Sequence, residues 1–248
     1  MRIDVYLNGS AVAPADLIGR VVLVIDVLRA STSIAVALAN GARAVIPFES
    51  SEEVVVRSKA FERGDVRLAG ERRTMPIPGF DLGNSPREFT PQAVEGKTIL
   101  FTTSNGTGAL VNAQGARDVV VGAYVNFTPV LAMLRSAARA DTDVAIICAG
   151  RERQFALEDA ACAGRFVRGI ARRGITPDLN DGAIAARLLD RRYGEDRLGL
   201  FQMSQHGRAL ADAGFGEDLT VCAAIDSHPV VPVFQERQIV RLGAVRER

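Results

Sequence analysis

The sequence predicts an α/β fold, with a largely parallel sheet assembled from repeated βαβ units and helices on both faces. Three observations carry the prediction. First, Val21–Ile25 is an unbroken apolar run, the pattern of a strand buried on both sides. It passes through Asp26, Arg29 and the hydroxyls Ser31, Thr32 and Ser33 into an apolar, Ala-rich stretch, residues 34–39, that reads as a helix. Second, two further runs of this kind, residues 98–101 and Val144–Cys148, each lead into a polar loop and then a helical pattern. Third, the chain echoes itself: VLVIDVLRASTS…NGARAVI and TILFTTSNGTG…QGARDVV share one plan of strand, polar loop, helix, Gly-Ala-Arg and strand. Units of that kind give parallel strands joined by right-handed crossovers.

In chain order, residues 3–7 alternate and read as a short edge strand, and Pro14 and Asp16 belong to the connection into Val21–Ile25. The helix after Ser33 stops at Asn40-Gly41, a good C-terminal cap. Ala44–Phe48 is the next strand, residues 52–63 form a helix ended by Gly64, and residues 66–69 form a weak strand. Residues 70–91 are irregular and Pro-rich, and loops that long in compact domains are usually functional or disordered. The strand at 98–101 ends in Thr102-Thr103-Ser104-Asn105-Gly106-Thr107-Gly108, followed by a short helix to Ala113 and a stop at Gly115. Residues 119–121 make a strand, and Asn126 or Thr128, with Pro129 just inside, starts a helix to about Arg139. Val144–Cys148 runs into residues 149–153 and then a helix over 156–173. Asp181–Tyr193 and residues 205–213 read as helices, and 220–226, 230–234 and 238–242 as late strands. No linker or low-complexity tract interrupts the chain, so residues 1–248 read as a single domain.

The bulk numbers narrow the function. Hydrophobic residues make up 48% of 248, enough for a sizeable core. Thirty basic against 29 acidic side chains leave a net charge of +1, which offers no electrostatic footprint for nucleic acid or an anionic membrane. No apolar run approaches the roughly 18 residues of a membrane span, and MRIDVYLNGS carries no signal-peptide pattern, so a soluble cytoplasmic protein is expected. The three cysteines, Cys148, Cys162 and Cys222, have no CxxC spacing, which argues against a disulfide framework or a zinc site. With only two histidines, His206 and His228, a metal site must be built mainly from oxygen ligands, which favours Mg²⁺ over Zn²⁺.

The chemistry-bearing residues gather at strand ends, where open α/β sheets bind ligands. Asp26 can hold a hard cation or attack phosphorus, and Arg29 can fork onto a phosphate or sulfonate. The competing structural role for Asp26 is a helix cap or an ion pair with Arg29. Leu28 stands where a DxDx[TV] phosphatase motif needs its second Asp, which disfavours the haloacid-dehalogenase family. Residues 102–108 resemble an anion cradle of hydroxyls and glycines at a helix start, against the simpler reading of Asn105-Gly106 as a turn. The cradle lacks the Lys of a P-loop, so nucleotide hydrolysis is not inferred. Residues 79–86, preceded by Glu71, Arg72 and Arg73, suit a lid or wall of the site. Glu158 and Asp159 open a helix after a strand-end loop, where they either complement the helix dipole or complete an oxygen site for Mg²⁺ with Asp26. A Cys-x5-Arg phosphatase motif from Cys148 would need Arg at 154, which is Gln154, so Cys148 reads as a buried apolar residue. Neither histidine sits in a hydrolase-triad pattern, and His228, before Pro229, reads as structural.

Four segments together resemble the 2-phosphosulfolactate phosphatases, the ComB-like family: IDVLRASTS (25–33), GFDLGNSP (79–86), TTSNGTGAL (102–110) and ICAGRERQFALEDAACAG (147–164). A weaker match covers Asp226 and Val230-Val231-Pro232. The resemblance implies a three-layer α/β/α sandwich around a mixed, largely parallel sheet. It also implies a Mg²⁺-dependent phosphatase converting 2-phosphosulfolactate to sulfolactate and phosphate, on the route to coenzyme M. Carried over residue by residue, the site draws on Asp26, Arg29, Ser31, Thr32, Asn84, Ser85, Thr103, Asn105, Gly106, Thr107, Glu158 and Asp159, with Asp26 and Arg29 catalytic and Asp26, Glu158 and Asp159 on the metal. The chain departs from the family's expected Thr-Thr-Asn-Gly at Ser104, so that either the cradle is one residue longer or Thr103-Ser104 takes the place of the Thr pair, and at Arg151-Glu152-Arg153, where a glycine-richer loop is expected.

A monoester dianion transfers its phosphoryl group through a loose transition state, so positioning and charge stabilisation do most of the work. Mg²⁺ and Arg29 suit that task, and the carboxylate and sulfonate of the substrate call for further cations, for which Arg72, Arg73, Arg151 and Arg153 are candidates. Two alternatives stand beside this reading: a phosphatase of another small phosphorylated hydroxy acid, and a non-catalytic binder of a small anionic metabolite. Apolar surface on an edge strand would also suit a homodimer.

Overall fold

The computed structural model describes residues 1–9, 12–104, 115–152, 154–171 and 174–243. Its strands are β1 (Arg2–Tyr6), β2 (Val21–Ile25), β3 (Ala44–Phe48), β4 (Val66–Arg72), β5 (Met75–Pro76), β6 (Thr98–Thr102), β7 (Asp118–Gly122), β8 (Val144–Cys148), β9 (Asp178–Leu179), β10 (Pro232–Gln235) and β11 (Gln238–Arg241). They form one sheet in the order β5-β4-β6-β3-β11-β10-β7-β2-β8-β1-β9. The helices are α1 (Ala30–Ala39), α2 (Ser51–Ser58), α3 (Pro91–Val94), α4 (Phe127–Arg139), α5 (Leu157–Ile170), α6 (Asp181–Tyr193), α7 (Arg197–Met203), α8 (Gln205–Asp212) and α9 (Gly216–Ala223).

The sheet is mixed and mostly parallel, as the sequence predicts, and its pattern is specific. β4, β6 and β3 form one parallel block. β7, β2, β8, β1 and β9 form another. The hairpin β10–β11 lies between the blocks, antiparallel to β7 on one side and to β3 on the other. Both halves of the sequence echo therefore join strands of different blocks: β2 leads through α1 to β3, and β6 is followed in the chain by β7 on the other side of the hairpin. The echo marks a pair of long crossovers, not two units of neighbouring strands. The short helix expected before Ala113 lies outside the described residues.

Alternation along the central strands shows why the sheet is covered on both faces. In β2, Val21, Leu23 and Ile25 join one core, and Val22 and Val24 join the other. β8 divides likewise, with Val144, Ile146 and Cys148 on one face and Ala145 and Ile147 on the opposite one. α4 to α9 supply the first core, and α1 the second. This is the three-layer arrangement. α1 is buried from Ala30 to Leu38, which is why its sequence shows no polar face.

Several elements differ from expectation for identifiable reasons. Residues 220–226 do not form a strand, because α9 runs through Ala223. Glu217 and Asp218 in its first turn suit the helix dipole, and Leu219, Cys222 and Ala223 bury one helical stripe that the β-branched Thr220 and Val221 conceal in the sequence. α7 is an added helix, opened by Asp196, whose side chain accepts from the Gly199 N–H at 2.9 Å. β1 is not an edge strand, since β9 pairs with it on its outer side. The irregular stretch after Gly70 contains the end of β4 and all of β5, paired Glu71 with Pro76 and Arg72 with Met75.

α5 and α6 meet at Gly164, where an added Cβ would lie 1.9 Å from the Ala186 carbonyl oxygen. Gly164→Ala must push two backbones apart, and a loss of about 3 kcal/mol in stability is expected, read as a lower urea midpoint. Among the described residues, no helix is long and apolar enough to cross a membrane.

Candidate active site

The carboxyl ends of five strands open on one cavity of about 780 Å³. Asp26, Leu28 and Arg29 enter it after β2, Glu49 after β3, and Glu71 to Thr74 from the β4–β5 turn. Thr103 and Ser104 enter after β6 and Arg151 and Glu152 after β8, with Asn84 and, from the start of α8, His206 completing the wall.

Asp26 lies at the floor and is 6% exposed. Its Oδ1 accepts from the Ala30 N–H at 3.3 Å, and its own N–H donates to Ser31 Oγ at 2.9 Å. Burial pushes its carboxyl up to about 6, against the downward pull of His206 and the Ala30 N–H, with Glu71 and Glu158 pushing further up. Asp159 and Glu158 sit in the first turn of α5, both buried. Burial, then Asp26 and Glu158, hold the Asp159 carboxyl well above the usual range. Asp159 accepts from the Val27 N–H at 2.8 Å and the Gly150 N–H at 3.1 Å, so it stitches the loop after β2 to the loop after β8. Glu158 Oε1 is 3.1 Å from His206 Nδ1, and its buried Oε2 has no hydrogen-bond partner among the described residues.

Arg29 is buried yet lines the cavity. Its Nη1 donates to Asp218 Oδ2 at 2.9 Å, its Nη2 donates to the Thr74 carbonyl at 2.9 Å, and its guanidinium lies 4.4 Å from the centre of the Phe215 ring. Its ion-pair partner is thus Asp218 and not Asp26. Ser85 Oγ donates to the other oxygen of Asp218 at 2.6 Å.

The predicted hydroxyls divide. α1 begins at Ala30, earlier than expected, so Ser31 and Thr32 lie inside its first turn and do not line the cavity. Ser31 Oγ accepts from Asp26, and Thr32 Oγ1 donates to the Val27 carbonyl at 2.8 Å, so both shape the loop that carries Asp26. Ser85 serves Asp218 in the same manner. Asn84, Thr103 and Ser104 do reach the cavity, and Asn84 Oδ1 is buried without a partner among the described residues. Glu71 holds the start of the cradle, accepting from the Ser104 N–H at 2.7 Å and the Thr74 N–H at 2.8 Å. Asn105, Gly106 and Thr107 lie outside the described residues, as does Arg153.

Two participants have no local signature in the sequence. His206 meets a carboxylate 48 residues away, and Asp218 meets Arg29 across 189. The one available signal for Asp218 was an acidic pair opening a helix, which the strand reading of 220–226 hides. His228 stays outside the cavity, and Cys148 ends β8 fully buried with its thiol pushed well up by that burial, so no thiolate nucleophile is present there.

The donors suit a hard cation by type. Asp26 and Glu158 offer buried carboxylate oxygens, one without a partner, and Asn84 adds an unpartnered amide oxygen. Among the described residues, however, no three His, Cys, Asp or Glu side chains already converge as a cation cage. Ligation would therefore need part of the shell from substrate or water, which Mg²⁺ ordinarily takes.

Comparison with known proteins gives a consistent result. The profile of the 2-phosphosulpholactate phosphatase family matches residues 10–237. A probable 2-phosphosulfolactate phosphatase of Symbiobacterium thermophilum is 43% identical over 232 residues, covering 93% of this chain and 98% of the relative. Similarly named proteins of Caldanaerobacter subterraneus, 37% identical over 94% of this chain and 95% of theirs, and of a Synechococcus strain, 39% identical over 88% and 90%, match along nearly their whole lengths.

Proposed function

The chain belongs to the 2-phosphosulpholactate phosphatase family, and from that premise we propose that it hydrolyses 2-phosphosulfolactate to sulfolactate and phosphate, with Mg²⁺, in a reaction of the coenzyme M biosynthetic type. The observation that carries the reading is the opposition of charge inside one cleft. Buried carboxylates, Asp26 and Glu71, line it together with Arg29, Arg72, Arg73 and Arg151, and Glu158 stands behind His206 of the same wall. A pure anion-binding pocket gains nothing from carboxylates beneath the anion. A phosphatase that places a divalent cation between carboxylates and phosphoryl oxygens requires them.

The chain's own groups then have definite tasks. Arg29, held flat by Phe215 and Asp218, offers its remaining N–H groups to the phosphoryl oxygens, where charge spreads in a loose transition state. Thr103 and Ser104 orient those oxygens from the β6 side. Asp26 serves as cation ligand or as nucleophile on phosphorus, and acid-quench trapping of a phosphoenzyme separates the two. Asp159 keeps the two loops in register. When bound, Mg²⁺ supplies positive charge that lowers the barrier to phosphoryl transfer.

The test is phosphate release from 2-phosphosulfolactate, phospholactate and an aryl phosphate, with Mg²⁺ and with EDTA. The expected result is preferential turnover of the sulfonate, a fall of roughly 100-fold or more in EDTA, and recovery on adding Mg²⁺. A rise in melting temperature with Mg²⁺ alone, absent from Asp26→Asn, gives a readout independent of turnover. Release only from the other esters keeps the phosphatase and discards this substrate. Release from none, with phosphate-ester binding intact, leaves an anion-binding protein.

A further inference from the structure

The turn between β4 and β5 is chemically out of place. Arg72 pairs with Met75, so the turn holds two residues, Arg73 and Thr74, and both have positive φ, 50° and 71°. A two-residue hairpin turn of that geometry favours Asn-Gly. Here it carries a long cation and a β-branched residue, for which positive φ is a genuine outlier. Backbone in such regions persists where its surroundings hold it, and it clusters at ligand sites. Three hydrogen bonds hold this turn. The Thr74 N–H donates to Glu71 Oε2 at 2.8 Å, the Arg73 N–H donates to Ser104 Oγ at 3.3 Å, and the Thr74 carbonyl accepts from Arg29 at 2.9 Å. All three partners line the cavity.

The arginines of the cavity are not equivalent. Arg29 is engaged by Asp218, Thr74 and Phe215. Arg72 donates to the Glu71 and Glu49 carbonyls and to Thr102 Oγ1. Arg151 donates to the Gln205 carbonyl and lies 4.0 Å from Glu152. The Arg73 guanidinium lines the same cavity, is exposed, and bonds to none of the described residues. Asp26 and Arg29 are buried members of that cavity and Arg73 is exposed, so Arg73 stands at the mouth.

From this we infer that Arg73 is the specificity-determining residue of the site, a guanidinium held over the cavity mouth to bind the substrate's second anion, a carboxylate or sulfonate, while the phosphoryl group lies on the floor. The inference rests on the phosphatase reading above and adds to it the part of the substrate that is not transferred. A planar guanidinium takes two oxygens of either anion at once. The strained turn fixes where that fork stands, and its ties to Glu71, Ser104 and Arg29 place the recognition of one anion in fixed relation to the grip on the other.

The experiment compares wild type, Arg73→Ala and Arg73→Lys on 2-phosphosulfolactate, phospholactate and an aryl phosphate under Mg²⁺, with calorimetric binding of sulfolactate alongside. Removing a charged hydrogen-bond pair is expected to lower kcat/KM on phosphosulfolactate about 10- to 100-fold more than on the aryl phosphate, mostly through KM, with Arg73→Lys recovering part of the loss. An equal loss on phospholactate assigns the carboxylate as the partner, and a loss confined to phosphosulfolactate assigns the sulfonate. Equal losses on all three esters, or sulfolactate binding that Arg73→Ala leaves unweakened, overturn the inference. If wild type releases phosphate from no ester, the phosphatase reading fails by itself, and the sulfolactate titration still decides: about tenfold weaker binding in Arg73→Ala upholds Arg73 as the anion reader, and unchanged or absent binding removes it.

Discussion

Asp26→Asn is expected to lower turnover roughly 10³-fold while making the metal-free protein more stable at pH 7. Both effects come from the same buried charge. The carboxyl is 6% exposed and pushed up to about 6 by burial, from about 3.9 in an unfolded chain. The folded state therefore binds a proton more readily than the unfolded one. The stability this contributes is fully present below about pH 4 and is lost as pH rises through about 6, where folding must bury an ionised carboxylate. The difference corresponds to about 3 kcal/mol at neutral pH. The amide introduced by Asp26→Asn would keep an acceptor for the Ala30 N–H and carry no charge, so the variant avoids the loss. Urea unfolding of both proteins in EDTA should give midpoints that coincide near pH 4 and separate above pH 6, with the variant higher. Added Mg²⁺ should narrow the gap by stabilising the wild type alone. Near wild-type turnover in Asp26→Asn would remove both roles proposed for this residue.

Asp218→Asn should act in the opposite sense on stability, lowering it, while tightening the binding of inorganic phosphate. Arg29 and Asp218 are 2% and 1% exposed at their side chains and 2.9 Å apart. Taking the charge from one member leaves a guanidinium in a dry site without its counter-ion, at a cost of about 3–5 kcal/mol. The amide that replaces the carboxylate can still accept from Ser85 or from Arg29, but it cannot neutralise the cation. The double variant Arg29→Leu/Asp218→Leu removes both charges and should be less destabilised than the two single losses added together. Inorganic phosphate, by supplying a new counter-ion to Arg29, should recover more stability in Asp218→Asn than in wild type. Equal recovery in the two would show that Asp218 does not set the charge state of the phosphate site.

The sequence was most legible where chemistry and local pattern coincide. Val21–Ile25 shows a doubly buried strand because all its residues are apolar, and Asp26 is conspicuous because the run stops on a charge. Arg29 is legible as a cation beside Asp26 at the strand end, Asn84 through motif resemblance, and both line the cavity. Ser31 and Thr32 illustrate the limit of that route: a hydroxyl beside a catalytic residue in sequence can face the loop that supports it. His206 and Asp218 were illegible because their partners arrive from distant segments, and only the packing of α8 and α9 against the sheet brings them in. The sheet order was hidden for a related reason. Strand patterns report burial, and they carry no label for which neighbour each strand will find.

The hairpin that separates the two parallel blocks also sets the schedule by which the cleft comes into being on the ribosome. Residues 232–241 follow every other described strand, yet among the described residues they form the only bridge between β7 and β3. A nascent chain that has emerged through β9 holds Asp26 and Glu158 in one block and Glu71 and Ser104 in the other, with no ladder fixing one block against the other. The strand pairing that joins the two sets of anion-binding groups through the sheet is completed when that hairpin has left the exit tunnel. Until then two open sheet edges, rich in valine and isoleucine, stand unpaired, and this is the interval in which a chaperone has most to protect.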